Sequence, residues 1–547
     1  MMLRRFCLVG LPLLLLLLSG VGLGCYFETN DDLTIIELLR GTTAAAPVTD
    51  LHLYFHGYAA LWSQLYTAYP LVPWYALTLY GLLYLATVLV FAVLWRLLRP
   101  KLGVGALVLL LVLFWGVAWL EHGFWFNYAR VPVLLAGAGL LFAAQRASVR
   151  WALLVGVGMF GLAWLIRPSV ALLGALAAAP GVWWLAGRKG LPLLAGVGAW
   201  AAAGALLLNL TWSPEAATFR RLDVLKSNIN DFQLTAPPTQ PLTARDSLGL
   251  AAARHWMFSD STLVNEAFFR RAAPFNPAYF LLHTAPAKLA ALPAQLARDY
   301  FPLLLLLGVT ALLGGRPSGS RRGFWLVQLA YTGLLLGLGT LLKLPPRLAL
   351  PLLDFWVLSN LVFLFRRPGP AADRRAGHLV LLVLLGVALP YGYKVYHRSQ
   401  VLARERQQNQ AERRRQLRLA HPARIIVADA LVTTYKSEAP FAEGNLLGRN
   451  QPAGQVDVAG WQTLHPAQAR LRQQLTGTRY FPDALRHLGA RSDVAWVLTP
   501  EGAAIINQQL RLAQRATPAA SLLESVRPSS ARPETAQLYR MRVKFPQ

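Results

Sequence analysis

The chain has 547 residues, of which 55% are hydrophobic and only 14% are charged. A water-soluble protein of this length would carry about a quarter charged residues, so the composition argues against that class. The net charge of +27 does not indicate a nucleic-acid partner, because many of the basic residues form short clusters between hydrophobic runs. That arrangement is the positive-inside pattern of membrane proteins.

The hydrophobic runs predict a mainly α, polytopic helical membrane protein of about eleven transmembrane helices, because each run is close to the length needed to cross a bilayer. The predicted spans are 8–24, 74–98, 102–120, 131–144, 151–166, 170–186, 191–210, 300–313, 324–342, 348–365 and 378–395. The two runs that meet at Arg167 and Pro168 are short enough to form a re-entrant hairpin instead of two crossings. Both interpretations give the same topology.

The amino terminus is predicted to be cytoplasmic, because Arg4 and Arg5 precede the first span. Cys25 follows that span at a distance that also fits lipoprotein processing, and the next loop is external in either case. Arginine far exceeds lysine, and Ala, Leu and Gly are abundant, as in proteins from GC-rich bacterial genomes. We therefore expect a multi-pass protein of the bacterial inner membrane, with its carboxyl-terminal region outside.

These spans divide the chain into a membrane domain, 1–397, and a small external α/β domain, 398–547. The membrane domain is expected to carry a first external loop at 26–72 and a large one at 211–299. In the C-terminal domain, 423–432, 493–499 and 538–545 are predicted strands, whereas 466–475 and 500–512 are predicted helices. The basic surface of this domain could face anionic lipid or glycan, or be only solvated.

An aromatic-rich segment, 51–69, lies within the first external loop. Its apolar residues recur at spacings of three and four, which predicts a helix with one apolar face. Rich in Tyr and Trp, this face suits the membrane surface, or alternatively packs on other spans as an ordinary core helix.

The first candidate site is the acidic sequence ETNDD, which contains Glu28, Asp31 and Asp32 where the chain leaves the first span. Crowded carboxylates beside lipid repel each other and lose hydration, so one of them could have a raised pKa and act as a general base. The same aspartates could instead cap the helix predicted to follow. Both roles are compatible.

The second candidate is Glu121 and His122 at the outer end of the third span, followed by Arg130. An ionisable pair among aromatic residues is suited to bind a sugar by stacking and hydrogen bonding, and Arg130 could reach a phosphate. The alternative is ordinary anchoring of the aromatics at the membrane interface.

The third candidate is a set of basic residues on the predicted external side, namely Arg167, Lys343 and Arg347. The positive-inside rule disfavours them there, so we expect an anionic partner such as a phosphate. A guanidinium group matches phosphate by paired hydrogen bonds.

His52 and His56 have the spacing of two metal ligands on a helix, but no third ligand is evident nearby, so no metal site is predicted. A Walker loop, a GxSxG elbow and an HExxH motif are absent from the sequence. ATP-driven transport and the common hydrolase triads therefore have no support.

In its layout the chain resembles the GT-C superfamily of polytopic glycosyltransferases, nearest to the bacterial mannosyltransferase and aminoarabinose transferase-like branch. ETNDD stands where that family uses a carboxylate in the first external loop. PPRLALPLL matches the family's late arginine and spaced prolines through Arg347 and Pro351, but Leu348 stands where the family has an aromatic residue. The likeness covers nearly the whole membrane region.

The resemblance implies transfer of a sugar, with inversion, from a polyprenyl-phosphate donor to a lipid, glycan or protein acceptor. Asp31 or Asp32 would be the base, with Glu28 in support, and Arg347 with Lys343 or Arg167 would stabilise the leaving phosphate. A divalent metal would be optional. Two alternatives remain open, a transporter or flippase of lipid-linked glycans and a non-catalytic envelope scaffold.

Overall fold

The computed structural model describes residues 2–238, 241–315, 321–366, 371–442, 454–513, 520–526 and 535–544. The chain is mainly helical, as predicted. The helices of the first half are α1 (Met2–Leu23), α2 (Asp31–Arg40), α3 (Tyr58–Ala68), α4 (Trp74–Leu98), α5 (Val104–Phe124), α6 (Arg130–Ala144), α7 (Arg150–Ile166), α8 (Pro168–Ala186), α9 (Leu191–Thr211), α10 (Pro214–Asn230), α11 (Ala244–Arg254) and α12 (Glu266–Ala272). Those of the second half are α13 (Pro277–Gly314), α14 (Arg321–Leu341), α15 (Pro346–Phe365), α16 (Ala371–Ala420), α17 (Pro466–Thr476), α18 (Phe481–Gly489) and α19 (Pro500–Ala513).

Within these described ranges, eight helical segments are long and apolar enough to cross a membrane. They are α1, α4, α5, the joined segment of α8 and α9, α13, α14, α15 and α16. Two further apolar helices, α6 and α7, are shorter. The membrane character is therefore supported, whereas eleven crossings remain a prediction, because that number requires α6 and α7 to span and α8 and α9 to cross separately.

Glycine residues allow α6 to pack closely on both α8 and α15. A Cβ atom on Gly174 of α8 would lie 2.5 Å from the backbone oxygen of Val133 in α6. A Cβ atom on Gly137 of α6 would likewise lie 2.2 Å from the ring of Phe355 in α15. Small residues allow such close approach between apolar helices. The second contact packs α6 against α15, the helix that carries Arg347 and Asp354.

The helix α13 is longer than its predicted span, 300–313, and has a kink at Tyr300, where φ is −130°. Pro302 explains the kink, because its ring has no N–H to donate and clashes with the preceding turn. The end of the predicted loop 211–299 is therefore helical, and that loop also contains α10, α11 and α12.

The aromatic segment 51–69 is helical only over Tyr58–Ala68. Before it, His52 and Phe55 have positive φ values of 63° and 59°, which interrupts the helix predicted from residue spacing. Trp62 and Phe55 are fully buried. Leu61 and Tyr69 of the same face are exposed, so half of the face packs inside the protein and both alternatives stay open.

The strands are β1 (Tyr26–Phe27), β2 (Trp125–Phe126), β3 (Ile425–Ala428), β4 (Gly454–Asp457), β5 (Val494–Leu498), β6 (Ala520–Ser525) and β7 (Gln537–Lys544). The first two form a short parallel pair, and the other five form one sheet in the order β4-β3-β5-β7-β6. In that sheet β3 lies parallel to β4 and β5, whereas β7 is antiparallel to β5 and β6. Strands β3, β5 and β7 were predicted, and β4, β6 and the helix α18 were missed.

Both faces of the C-terminal sheet are covered. Side chains alternate along β3, so that Ile426 belongs to a buried cluster shared with the first external loop and α16, whereas Ile425 and Val427 belong to a cluster shared with α11, α12 and the helices α17 to α19. A strand buried on both faces is a continuous hydrophobic run, as IIVA is. The sheet is therefore packed between α16 and the helices α17, α18 and α19. The helix α16 continues without a break through the predicted boundary at 397/398, and that boundary stays a prediction.

Candidate active site

The acidic loop is held by backbone pairing on both sides of β1. Strand β2 lies on one side, where the N–H of Glu28 donates to the oxygen of Phe126 at 2.7 Å. On the other side, the N–H of Phe27 donates to the backbone oxygen of Glu438 at 2.9 Å. The N–H of Ser437 donates to the backbone oxygen of Phe27 at 3.1 Å. The C-terminal region therefore supplies a neighbouring strand-like segment to the acidic loop.

Asp31 and Asp32 begin the helix α2, and they face different surroundings. Asp31 is partly exposed and accepts a 3.1 Å hydrogen bond from the hydroxyl of Thr29. The N-cap residue of this helix is Asn30, whose side chain forms no cap hydrogen bond. The structure thus gives no support to a capping role for either aspartate.

Asp32 is fully buried and accepts three hydrogen bonds. The hydroxyl of Tyr75 donates at 2.8 Å, and the amide of Asn127 and the backbone N–H of Tyr128 each donate at 3.2 Å. Burial raises the pKa of Asp32 to about 8, although the hydrogen bond from Tyr75 acts in the opposite direction. Asp32 is therefore suited to fix the loop in place.

A cavity of about 470 Å³ opens beside Asp31. The charged residues that line it are Asp31, Asp223, Asp231, Arg167, Arg220, Lys226 and Arg347. Its aromatic and histidine residues are Tyr54, Tyr128, Trp164, Trp212, Trp256, Trp461, His52 and His56. One wall is apolar and comes from the helices α8 and α9, through Leu172, Ala201, Ala205 and Leu208. The cavity thus joins a membrane-embedded wall to a polar, aromatic chamber.

Three of the nine predicted site residues line this cavity, namely Asp31, Arg167 and Arg347. Arg167 lies between α7 and α8, where its guanidinium group donates to the hydroxyl of Tyr128 at 2.8 Å. It is also close enough to Asp31 for their charges to interact. One acidic and two basic groups predicted from separate parts of the sequence therefore meet at one site.

Arg347 enters the cavity from the first turn of α15 and belongs to a buried set of charged groups. Its Nη1 atom lies 3.4 Å from Oε1 of Glu28, and the other oxygen of Glu28 accepts a 2.7 Å bond from Arg130. The guanidinium of Arg130 lies 3.4 Å from Nδ1 of His122, and Nε2 of His122 lies 2.8 Å from Asp354. We call these five residues the buried charge network.

The protonation of His122 follows from its neighbours. Arginine can only donate, so Nδ1 of His122 must accept from Arg130, and the ring proton lies on Nε2, facing Asp354. The carboxylate of Glu28 is shared between the guanidinium groups of Arg130 and Arg347. Both oxygens of Glu28 are occupied by arginines, which makes Glu28 a positioning residue for Arg347.

Glu121 lies outside both the cavity and the buried charge network. Its carboxylate accepts from the hydroxyl of Tyr391 at 2.7 Å and from Arg398 at 2.9 Å. Both partners belong to α16, so Glu121 ties α5 to that long helix. Glu121 and His122 are buried, and neither lines the cavity. Their predicted contact with a sugar has no support in this geometry.

Lys343 also lies apart from the cavity wall. It forms an exposed ion pair with Asp231, with the two atoms 3.4 Å apart. Asp231 does line the cavity, so Lys343 borders the site through its partner.

His52 and His56 both line the cavity. His52 pairs with Asp50 at 2.9 Å and stacks on His465 at 5.2 Å between ring centroids. Within the described part of the chain, no three His, Cys, Asp or Glu side chains are grouped to hold a metal ion. We assign no metal ligands.

Sequence reasoning missed several residues of this site. Asp354 was detectable, because an ionisable residue inside an apolar span is a functional candidate by default. Trp256 and Trp461 were not, since they lie in the large loop and the C-terminal domain, far from the acidic loop in sequence. No protein-family model matches this chain, and no curated protein matches its sequence.

Proposed function

We propose that the chain is a membrane glycosyltransferase that moves a sugar from a polyprenyl-phosphate donor to a lipid, glycan or protein acceptor. The observation that carries the proposal is that Asp31, Arg167 and Arg347 line one cavity that also has an apolar wall. A carboxylate, two guanidinium groups and an apolar surface fit the hydroxyl, phosphate and lipid of such a reaction. The resemblance to the GT-C superfamily points the same way.

The two arginines serve the phosphate. Planar guanidinium groups form paired, charge-assisted hydrogen bonds with phosphate oxygens. Arg347 is held in place by Glu28, and Arg167 by Tyr128. Because both are positioned before substrate binds, they stabilise the charge that develops as the phosphate leaves.

Asp31 serves the acceptor. Its carboxylate takes the proton of the acceptor hydroxyl while the hydroxyl oxygen bonds to the anomeric carbon. The bond between that carbon and the phosphate oxygen breaks, and the anomeric configuration inverts. Asp31 receives this role ahead of Asp32, because only Asp31 lines the cavity.

The donor lipid follows the apolar wall formed by α8 and α9. Several of their side chains, including Leu172 and Ala205, are exposed at this wall, which suits a surface that contacts lipid. With eleven crossings and a cytoplasmic amino terminus, the cavity and the C-terminal domain would face outward from the bacterial inner membrane. A lipid-linked sugar, unlike a nucleotide sugar, is present on that face.

The two other functions remain alternatives. A transporter or flippase would move a lipid-linked glycan without forming a new glycosidic bond, and a scaffold would do neither. Deleting the C-terminal domain would not separate these possibilities, because the deletion removes both the segment beside β1 and Trp461 of the cavity. Single substitutions are the sharper test.

The test measures sugar transfer by the full-length protein in lipid vesicles, using radiolabelled polyprenyl-phosphate hexoses and aminopentoses with envelope extract as acceptor. Asp31→Asn should lower transfer by about a hundredfold or more, the loss expected on removing a general base. The matched control is Asp493→Asn, which breaks only an exposed pair with Arg491 and should retain activity. Full transfer by Asp31→Asn would refute the proposed role of Asp31. Lipid movement without product would favour the flippase.

A further inference from the structure

The cavity has an aromatic side that the proposed reaction centre does not use. Trp256 comes from the large loop after α11, and Trp461 comes from the C-terminal domain after β4. Both side chains line the cavity and are partly exposed. Two indole rings from distant parts of the sequence therefore face one space.

These two tryptophans are joined through their backbones. The N–H of Gly460, the residue before Trp461, donates to the oxygen of Trp256 at 2.9 Å. Thr463 strengthens the junction, since its hydroxyl accepts from the N–H of Phe258 at 3.3 Å. The relative position of the two rings is thus set by hydrogen bonds between the large loop and the C-terminal domain.

Trp256 adopts a costly backbone conformation, and Gly460 adopts one that favours glycine. Trp256 has a positive φ of 60°, which is unusual for a bulky residue. Gly460 has a φ of 107°, and a Cβ atom there would lie 2.3 Å from the side chain of Gln462. Strained conformations in a folded protein cluster at ligand-binding sites. The strain at Trp256 places its ring at the cavity wall.

Polar groups stand beside the indoles. Lys226 lies over the ring of Trp256 at 5.6 Å and pairs with Asp223 at 2.5 Å. Both residues line the cavity, as does Asp231. A flat apolar surface next to a few donors and acceptors is the pattern of a small-molecule site with fixed orientation.

We propose that Trp256 and Trp461 form a subsite for a pyranose ring. One face of a pyranose carries C–H groups and stacks on an indole, while its rim carries hydroxyls that bond to charged and polar side chains. The carboxylate of Asp223 accepts from hydroxyls, and the ammonium of Lys226 donates to them. The assignment rests on the proposed function for the identity of the reaction, but saccharide binding is testable without it.

The ring could belong to the donor sugar or to a glycan acceptor, because the chemistry is the same. Steady-state kinetics separate these two sources. If Trp461→Ala raises KM for the lipid-linked donor, the subsite holds the donor sugar. If it raises KM for the acceptor, the subsite holds an acceptor glycan.

The direct experiment measures saturation-transfer NMR between the full-length protein in detergent and a panel of free mono- and oligosaccharides. At least one saccharide should bind the unmodified protein, and Trp461→Ala and Trp256→Ala should each weaken its binding about tenfold, equivalent to about 1.4 kcal/mol. Trp461→Phe should retain part of the affinity, because it keeps a flat ring. The matched control is Trp183→Ala, a substitution of an exposed tryptophan on α8.

The outcomes separate this inference from the proposed function. If no saccharide binds, or if all variants bind equally, the subsite assignment is overturned whatever the transfer assay shows. If binding depends on the two tryptophans but no sugar is transferred by the unmodified protein, the subsite stands and the glycosyltransferase proposal fails. Melting temperatures of each variant show whether a loss of binding reflects unfolding.

Discussion

The cavity and the buried charge network contain the same kinds of side chain but organise them differently. In the network, Glu28 pairs with both Arg130 and Arg347, and four of the five members are shielded from solvent. In the cavity, Asp31 and Arg167 face an open volume. Charges that balance one another within the protein fix geometry, whereas charges directed at an open space are available to a ligand.

Arg347 connects the two regions, because it contacts Glu28 in the network and also lines the cavity. The helix α15 explains this position. Arg347 and Asp354 are seven residues apart, so they lie on one face of α15 about two turns apart. The Arg347 end of that face meets the cavity, and the Asp354 end is buried between helices.

Breaking the network should produce the largest loss of stability. Glu28→Gln leaves Arg130 buried without its carboxylate, and we expect the free energy of unfolding to fall by about 3–5 kcal/mol. Thermal melting of the purified protein in detergent measures the change. The comparison variant is Lys343→Gln, described below. Equal melting shifts for the two would show that the network is not a closed structural unit.

Arg347→Lys tests the group that the two regions share. Lysine keeps the charge but loses the paired hydrogen bonds to phosphate, so KM for the lipid donor should rise about tenfold to a hundredfold. KM for the acceptor should change little, because Asp31 remains. Steady-state kinetics with each substrate varied in turn provide the measurement. A rise confined to the acceptor would remove Arg347 from the donor site.

Asp32→Asn tests whether the buried Asp32 makes the stability of the protein depend on pH. The pKa of Asp32 is raised to about 8, above that of an unfolded aspartate, so the folded state binds more protons between about pH 4 and pH 8. Stability of the unmodified protein should fall as pH rises through this window. Asparagine does not titrate, so the difference in melting temperature should move in favour of Asp32→Asn towards alkaline pH. If the melting temperatures of the two proteins changed with pH by the same amount, a pKa of Asp32 raised by burial would be contradicted.

Lys343→Gln should have the smallest effect. Its ion pair with Asp231 is largely exposed, and such pairs contribute about 0–1 kcal/mol. Melting temperature and donor KM should both stay close to those of the unmodified protein. A donor KM that rises as much as in Arg347→Lys would place Lys343 in the site beside Asp231.

The features that the sequence determined are those that depend on neighbours along the chain. Long apolar runs predicted the helices of the membrane domain, and short apolar runs near the carboxyl terminus predicted β3, β5 and β7. The acidic loop was found because three carboxylates occur within five residues, and Arg167 and Arg347 because charge is costly near lipid. Asp31 could not be distinguished from Asp32, because adjacent residues on a helix point in different directions and only packing decides which one is buried.

The tertiary structure alone decided how distant segments meet. It joined Glu28 to Arg130 and Arg347, brought Trp256 beside Trp461, and paired β1 with Ser437 and Glu438. It also interrupted the helix predicted over 51–69, because residues 52 and 55 adopt positive φ where they pack against other segments. These contacts follow from the shape of the whole fold, in which close helix packing and a sheet covered on both faces fix positions that no local pattern encodes.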